Sequence, residues 1–387
     1  MFILTAVKDH SEVFTITQHM SREQLLQLRN TSQFTCPQCE NPLRLKIGKV
    51  VIPHFAHIVI NNCLTSFSER ESPGHLKGKQ QLTEFFARTG CEVAVEAYLP
   101  KIAQRPDLLI QQKGKRFAIE FQCSVISSED VAKRNQGYKS INLPSIWLLS
   151  TPNHIHELSM GISYVKLSKF VQSFINKHQV TGATIITYDT TTEQFVYISQ
   201  LMHIGGTAFV AKVLSLSVDQ QTFPFARVKP LSIPDRQRYW HIFQQKRARY
   251  LRNRIFSSKF GAQDRFLKQC YVQQIRPENL PLYIGFPIED SETIQDHLVE
   301  WQMALVCGLS RSKIDLKYVS KEWIEMFTVN HCKVFNRNKA VEVVSRYCEF
   351  LLELDYHTFQ SITHQPMNQI NLFNHFHKLI VAKRCEN

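Results

Sequence analysis

Asp107, Glu120 and Gln122 are the residues of this chain whose types and spacing best suit chemistry. They lie in two apolar runs, Arg105-Pro106-Asp107-Leu108-Leu109-Ile110 and Phe117-Ala118-Ile119-Glu120-Phe121-Gln122-Cys123. Both runs suit strands, and Lys113-Gly114 between them can make a two-residue hairpin turn that pairs position 112 with 115. Counting outward from that turn places Asp107 opposite Glu120. Side chains repeat every two residues along a strand, so Gln122 joins the same face. Paired carboxylates suit a hard cation such as Mg²⁺, which takes few protein oxygens and keeps places for water and phosphate. A metal held there activates water and neutralises charge in a phosphodiester transition state. The same pattern also describes an ordinary hairpin with a polar outer face, and a one-residue slip in register would scatter the group.

The elements around the hairpin read as its supports. Ser72 followed by Pro73 starts a helix, with Leu76, Lys79, Leu82 and Phe86 at helical spacing. His75 and Lys79, four apart, share one face and can address a phosphate or a carboxylate, or can simply form a solvated basic face. A strand over Glu92–Tyr98 precedes the hairpin. After it, Ser127-Ser128-Glu129-Asp130 forms a capping box that opens a helix carrying Arg134 and Tyr138 at i and i+4. Ser145–Ser150 reads as a short buried strand. The order helix, strand, hairpin, helix, strand predicts a mixed sheet flanked by helices.

Nearer the N-terminus, Cys36-Pro37-Gln38-Cys39 is followed by a hairpin pattern turning near Gly48, then His54-Phe55-Ala56-His57 and Cys63. This is a zinc-ribbon-like layout, because a Cys-x-x-Cys knuckle brings two thiolates to one cation and a returning strand can bring imidazoles to it. Cys36 and Cys39 take two places of a structural Zn²⁺, and His54, His57 and Cys63 compete for the other two. A redox Cys-x-x-Cys is the alternative, but it lacks the βαβ context such a motif requires.

The chain has 387 residues, 43% hydrophobic and 20% charged, with a net charge of +13. Its length suggests two or three domains. The composition argues against long disordered or collagen-like segments. The excess of positive charge favours polyanionic partners. Met1–Val7 is apolar but runs straight into Lys8-Asp9-His10, so it reads as a strand rather than a signal peptide. No apolar run approaches the roughly 20 residues needed to cross a bilayer, so a cytoplasmic protein without membrane association is expected. The ten cysteines are spread along the chain, and most read as buried thiols.

In the C-terminal half, residues 183 to 228 alternate in a strand-like way, as in Ala183–Tyr188 and Phe195–Ile198, and suit a small antiparallel sheet, and helical periodicity dominates from about 232. Arg236 to Lys259 contains no acidic residue and carries Arg247, Arg249, Arg252 and Arg254 interleaved with Tyr239, Trp240, Phe243 and Tyr250. Cations on phosphates and rings on unpaired bases suit single-stranded nucleic acid. An amphipathic helix with an aromatic core face and a solvated basic side fits the same residues.

Taken in order, Cys-Pro-Gln-Cys with Pro-His-Phe-Ala-His, His75-Leu76 with Lys79, Arg105-Pro106-Asp107, Glu120-Phe121-Gln122-Cys123-Ser124, the Ser127-to-Tyr138 helix and Ile146-Trp147 resemble the CoiA-like competence proteins. The resemblance covers about residues 30 to 150. It implies an α/β, restriction-endonuclease-like core over 69–178, after an N-terminal zinc-binding module at 1–68. A C-terminal domain at 179–387 follows, a small β region and then mainly helices. It further implies Mg²⁺ on Asp107 and Glu120, with Gln122 where many nucleases of that superfamily have lysine. His75 and Lys79 would then supply charge, and Arg134 and Tyr138 would hold a phosphate or support Glu120. The expected role is processing of incoming, single-stranded DNA in natural transformation, in concert with recombination proteins. A nuclease-like fold that binds DNA without cutting it is the alternative.

Overall fold

The computed structural model describes residues 3–48, 51–58, 72–156, 158, 160–178, 182–226, 228–258, 260–334, 336–355 and 372–376. Five short strands open the chain: β1 (Thr5–Lys8), β2 (Glu12–Thr15), β3 (Phe34–Thr35), β4 (Pro42–Lys46) and β5 (His54–His57). They form an antiparallel sheet in the order β2-β1-β3-β4-β5. Helix α1 (Arg22–Thr31) packs beside it, started by a reciprocal cap in which Ser21 accepts from Gln24 N and the Gln24 side chain accepts from Ser21 N.

Helix α2 (Pro73–Arg88) begins at the expected signals: Ser72 accepts from His75 N and Pro73 occupies the first turn. The strands that follow are β6 (Glu92–Val95), β7 (Leu108–Gln112), β8 (Lys115–Gln122), β9 (Ser145–Ser150), β10 (Gly161–Lys166), β11 (Asn176–His178), β12 (Gly182–Asp189), β13 (Gln194–Gly205) and β14 (Ala208–Ser217). They build one mixed sheet in the order β10-β14-β13-β12-β9-β8-β7-β6, with β11 beside β12. Lys113 and Gly114 take positive φ, +49° and +76°. Such a turn matches the twist of the flanking strands, and glycine enters that region without steric penalty. Gln112 pairs with Lys115 and Leu108 with Ile119, so the register read from the sequence holds.

Alternation along β7 and β8 sends Leu108, Ile110, Ile119 and Phe121 to one face, where they share a core with Leu76, Leu82, Phe85 and Phe86 of α2. The opposite face presents Ala118 to Tyr138 of helix α3 (Ser128–Ser140). The N-terminal sheet adds Ile3, Leu4, Phe34 and Phe55 to the α2-side core.

The strands within 183–228 do not form a small sheet of their own. β12 runs parallel to β9, pairing Thr187 with Leu149 and Tyr188 with Ser150, so the large sheet continues through Ser217, past the expected boundary at 178. The reason is that both faces of these strands are apolar. Tyr188, Phe195 and Tyr197 enter the α2-side core, while Ile185, Val196 and Ile198 enter another. A sheet apolar on both faces must be covered on both. Beyond it, helices Ile233–Phe256, Arg265–Val272, Leu298–Ser312, Lys321–His331 and Arg337–Glu353 build a core that also takes Met202, Ile204 and Val210. No helix among the described residues is long and apolar enough to cross a membrane.

Gly78 lets α2 lie close on β8, since a Cβ there would meet the Phe121 ring at 2.1 Å. Replacing it by valine overpacks a buried contact, and Gly78→Val should destabilise the protein by about 1–3 kcal/mol, read as a lower thermal midpoint. An unchanged midpoint would show that α2 does not depend on this approach.

Candidate active site

Asp107 sits one residue before β7, and its carboxylate reaches across the strand end towards α2. Oδ2 accepts from Phe121 N at 2.8 Å and from His75 Nε2 at 3.1 Å, and Oδ1 lies 3.9 Å from Lys79 Nζ. Burial alone would raise the Asp107 carboxyl. His75, followed by Lys79 and Arg134, more than offsets this and holds it well below the usual carboxylate range. The i, i+4 spacing on α2 brings both basic residues to one carboxylate, as the sequence suggested.

Lys79 nevertheless does not reach outward to a phosphate. It has no exposure, and its ammonium donates to Glu96 Oε1 at 2.5 Å. Glu96, just past β6 with φ +53°, also accepts from Leu4 N and Thr5 N at 3.0 and 3.2 Å through Oε2. A lysine four carbons long on the inner face of α2 meets Glu96 and Asp107 before it meets solvent. Glu96 was not visible in advance, because an acid ending an alternating strand carries no mark of its partner.

Asp107 lies past the last β7–β8 ladder pair and its carboxylate turns to α2, so Glu120 does not share its face as the sequence suggested. Glu120 points to the other face of β8, towards α3, and is 2% exposed. Oε1 accepts from Arg134 Nε at 3.0 Å, from Arg134 Nη2 at 2.7 Å and from the Tyr138 hydroxyl, while Oε2 accepts from Arg134 Nη2 at 2.9 Å. Burial pushes the Glu120 carboxyl up, against the pull of Arg134, and the charge of Asp107 adds to the rise. Arg134 loses by burial but is held above its ordinary value by Glu120. The geometry decides for the ion pair, because Arg134 meets this carboxylate through three contacts and the Tyr138 hydroxyl donates to it as well. Arg134 Nη2 also donates to Arg105 O at 3.1 Å, which ties α3 to the segment leading into Asp107. Gln122 ends β8 with the parity of Glu120, but its amide nitrogen donates to Ser124 O at 2.9 Å.

Cys36, Cys39 and His57 bring one ligand atom each to within 4.8 Å of one another, the one such His/Cys/Asp/Glu group among the described residues. The knuckle follows β3, and β5 returns antiparallel to β4 with His57 opposite Leu43. His54 does not join them. It pairs with Lys46 three residues further along β5, roughly 10 Å away at strand rise, and its Nδ1 bonds to Ile52 O at 2.8 Å. Cys63 lies outside the described residues. Burial lowers His57, favouring the neutral imidazole a metal takes, and pushes the Cys36 thiol up to about 11.

The basic helix Ile233–Phe256 resolves into two faces. Arg247 is buried and donates to Ile284 O, Leu280 O and Pro281 O, and burial lowers it to about 10. Arg254 is paired with Glu300 at 2.8 Å and Asp264 at 2.6 Å. Neither is placed to bind DNA. Tyr239 and Phe243 are buried, Trp240 packs against Phe376, and Tyr250 donates to Glu300 and stacks on His297. Helical periodicity explains the split: positions 239, 243, 247, 250 and 254 lie on the core side, whereas Arg249 and Arg252 are exposed.

A mixed sheet with a helix on each face, carrying half-buried Asp107 and buried Glu120 at the open end of a central hairpin, accords with a nuclease-like domain. Residues 71–227 match the family described as competence protein CoiA, nuclease-like domain, and residues 17–66 match competence protein CoiA, N-terminal domain. The two matches together cover more than half of the chain, which belongs to the CoiA family. It is similar to the competence protein CoiA of Bacillus subtilis (strain 168), 32% identical over 158 residues, a stretch that spans 41% of this chain and 41% of that relative. No solved structure matches.

Breaking a buried pair from one side leaves an uncompensated charge. Glu120→Gln should therefore cost about 3–5 kcal/mol, measured by denaturant unfolding, and adding Arg134→Met should recover a large part of it. Equal stability of Glu120→Gln and wild type would refute the ion pair.

Proposed function

We propose that this chain acts on DNA in competence, and that the Asp107–Glu120 pair holds Mg²⁺ for phosphodiester hydrolysis. The observation that carries the reading is that half-buried Asp107 and buried Glu120 stand at the open end of one hairpin, near enough for the charge of one to act on the other, and are served by cations from helices on both faces of the sheet. The donor set fits the ion: Asp107 Oδ1 and Glu120 Oε2 are the less engaged oxygens of the two carboxylates. When bound, Mg²⁺ supplies an activated water and neutralises phosphate charge. His75 keeps Asp107 ionised and oriented, and Arg134 with Tyr138 fixes Glu120. Gln122 can orient a water by dipolar hydrogen bonds but cannot exchange a proton near neutral pH. Arg249 and Arg252 provide exposed positive charge for the DNA backbone.

A second reading, binding without cleavage, is favoured by the saturation of Glu120 Oε1 with three donor contacts and by the engagement of Gln122 with Ser124 O. Labelled single- and double-stranded DNA incubated with Mg²⁺ or chelator separates the two. The expected result is Mg²⁺-dependent cleavage by wild type, reduced in Asp107→Ala by more than the roughly 10–100-fold typical of outer-sphere partners, with DNA binding retained. Binding without cleavage in wild type would leave only the second reading.

The same proposal assigns a structural Zn²⁺ to Cys36, Cys39 and His57, with Cys63 as the sequence's candidate for the fourth place. A sulfur-rich set with one imidazole suits zinc, and a metal would hold as thiolate what burial keeps protonated. Metal analysis of purified protein should find about one zinc per chain, consistent with a four-ligand structural site. His57→Ala should lose it and His54→Ala should keep it. Zinc lost from both variants, or absent from wild type, would overturn the assignment.

A further inference from the structure

β9 and β12 pair only at Thr187 with Leu149 and at Tyr188 with Ser150. Towards their N-terminal ends the two strands separate, and the gap between them is a cleft of about 540 Å³. That lies within the roughly 300–1,000 Å³ typical of small-ligand sites. Its walls carry Trp147, Phe174, Tyr197 and Phe225, with Asn135, Ser145 and Thr184 among them. Trp147 is the register partner of Glu120 on the next strand, so the cleft opens one strand away from the carboxylate site. The indole is held in place: Nε1 donates to Asn135 Oδ1 at 2.8 Å, Ser145 Oγ donates to the same oxygen at 3.0 Å, and Phe174 lies against the ring at 5.4 Å. Asn135 follows Arg134 on α3, which couples the cleft to the group that holds Glu120. On the far wall, Thr184 Oγ1 is buried with no hydrogen-bond partner among the described residues.

Flat aromatic walls, a fixed indole and an unsatisfied hydroxyl call for a planar ligand with π faces and polar edges. We propose that this cleft takes one unstacked nucleobase of single-stranded DNA, setting the adjoining phosphate beside Asp107 and Glu120. The inference rests on the DNA reading above, but not on hydrolysis. Base stacking on an aromatic side chain is sequence-tolerant, because every base has a π face. A duplex keeps its bases stacked and cannot fill the cleft.

The test is equilibrium binding of the full chain, in chelator so that nothing is cut, to a short thymidine homopolymer, to an abasic oligonucleotide of equal length and to a duplex. Wild type should prefer the homopolymer over the abasic strand by ~10-fold. Trp147→Ala should abolish that preference without changing abasic or duplex affinity, and Trp147→Phe should keep most of it. Ala226→Trp, which fills the cleft from a lining position and leaves the indole intact, should act like Trp147→Ala and guards against misfolding of the latter. Equal affinity of wild type for homopolymer and abasic strand overturns the pocket alone. Binding to neither overturns the pocket together with the DNA reading. A preference that survives both Trp147→Ala and Ala226→Trp places the base elsewhere and overturns the assignment.

Discussion

The constraint on which the structure turns is the enclosure of three carboxylates within one small region, Glu120 and Glu96 buried and Asp107 half-buried. An unpaired charge away from water is prohibitively costly, so each acid needs a cation or a set of donors with good geometry. The chain meets that need from different elements: His75 and Lys79 from α2, Arg134 and Tyr138 from α3, and the backbone of Leu4 and Thr5 from the first strand. Neither helix can leave the sheet without stranding a charge. A continuous path of bonds therefore runs from β1 through Glu96 and Lys79 to Asp107 and the backbone of Phe121. The N-terminal sheet is thus bound to the candidate site by electrostatics as well as by a shared apolar core.

α2 carries two duties on successive turns, and its composition reconciles them. His75 and Lys79 must point at the strand ends, while Leu76, Leu82, Phe85 and Phe86 fill the core. Gly78 lies beside Lys79 where the helix crosses Phe121, and the missing side chain allows the approach that brings both basic residues within reach. Packing and charge placement are here one requirement, since a helix lifted off Phe121 would lengthen the contacts to Asp107.

What could be read in the sequence was local. The Lys113-Gly114 turn gave the β7–β8 register through Leu108 and Ile119, and helical spacing paired His75 with Lys79 and Arg134 with Tyr138, but the side chains of Asp107 and Glu120 turn to different helices rather than sharing one face. What could not be read was the identity of partners far apart along the chain. Lys79 meets an acid 17 residues away, and that acid meets backbone more than 90 residues away. The choice of His57 over His54 depends on where β5 stops against β4, and the parallel seam between β9 and β12 rests on two residue pairs. In the basic helix, composition suggested a nucleic-acid face, but burial of Arg247 and pairing of Arg254 show that cations on an aromatic-bearing stripe can serve the core.

The position of Lys79 also bears on how a site with Gln122 in place of lysine could work. A lysine beside the attacking water would act on it directly, whereas Lys79 lies beneath the carboxylates and acts on them instead, 3.9 Å from Asp107. Asp107 Oδ1 and Glu120 Oε2, the less engaged carboxylate oxygens, would be the atoms to meet a divalent cation, and that cation would bridge to a DNA phosphate that the carboxylates alone would repel. On this view Gln122 costs the site a direct positive charge at the water, and His75, followed by Lys79, keeps Asp107 available as an anion.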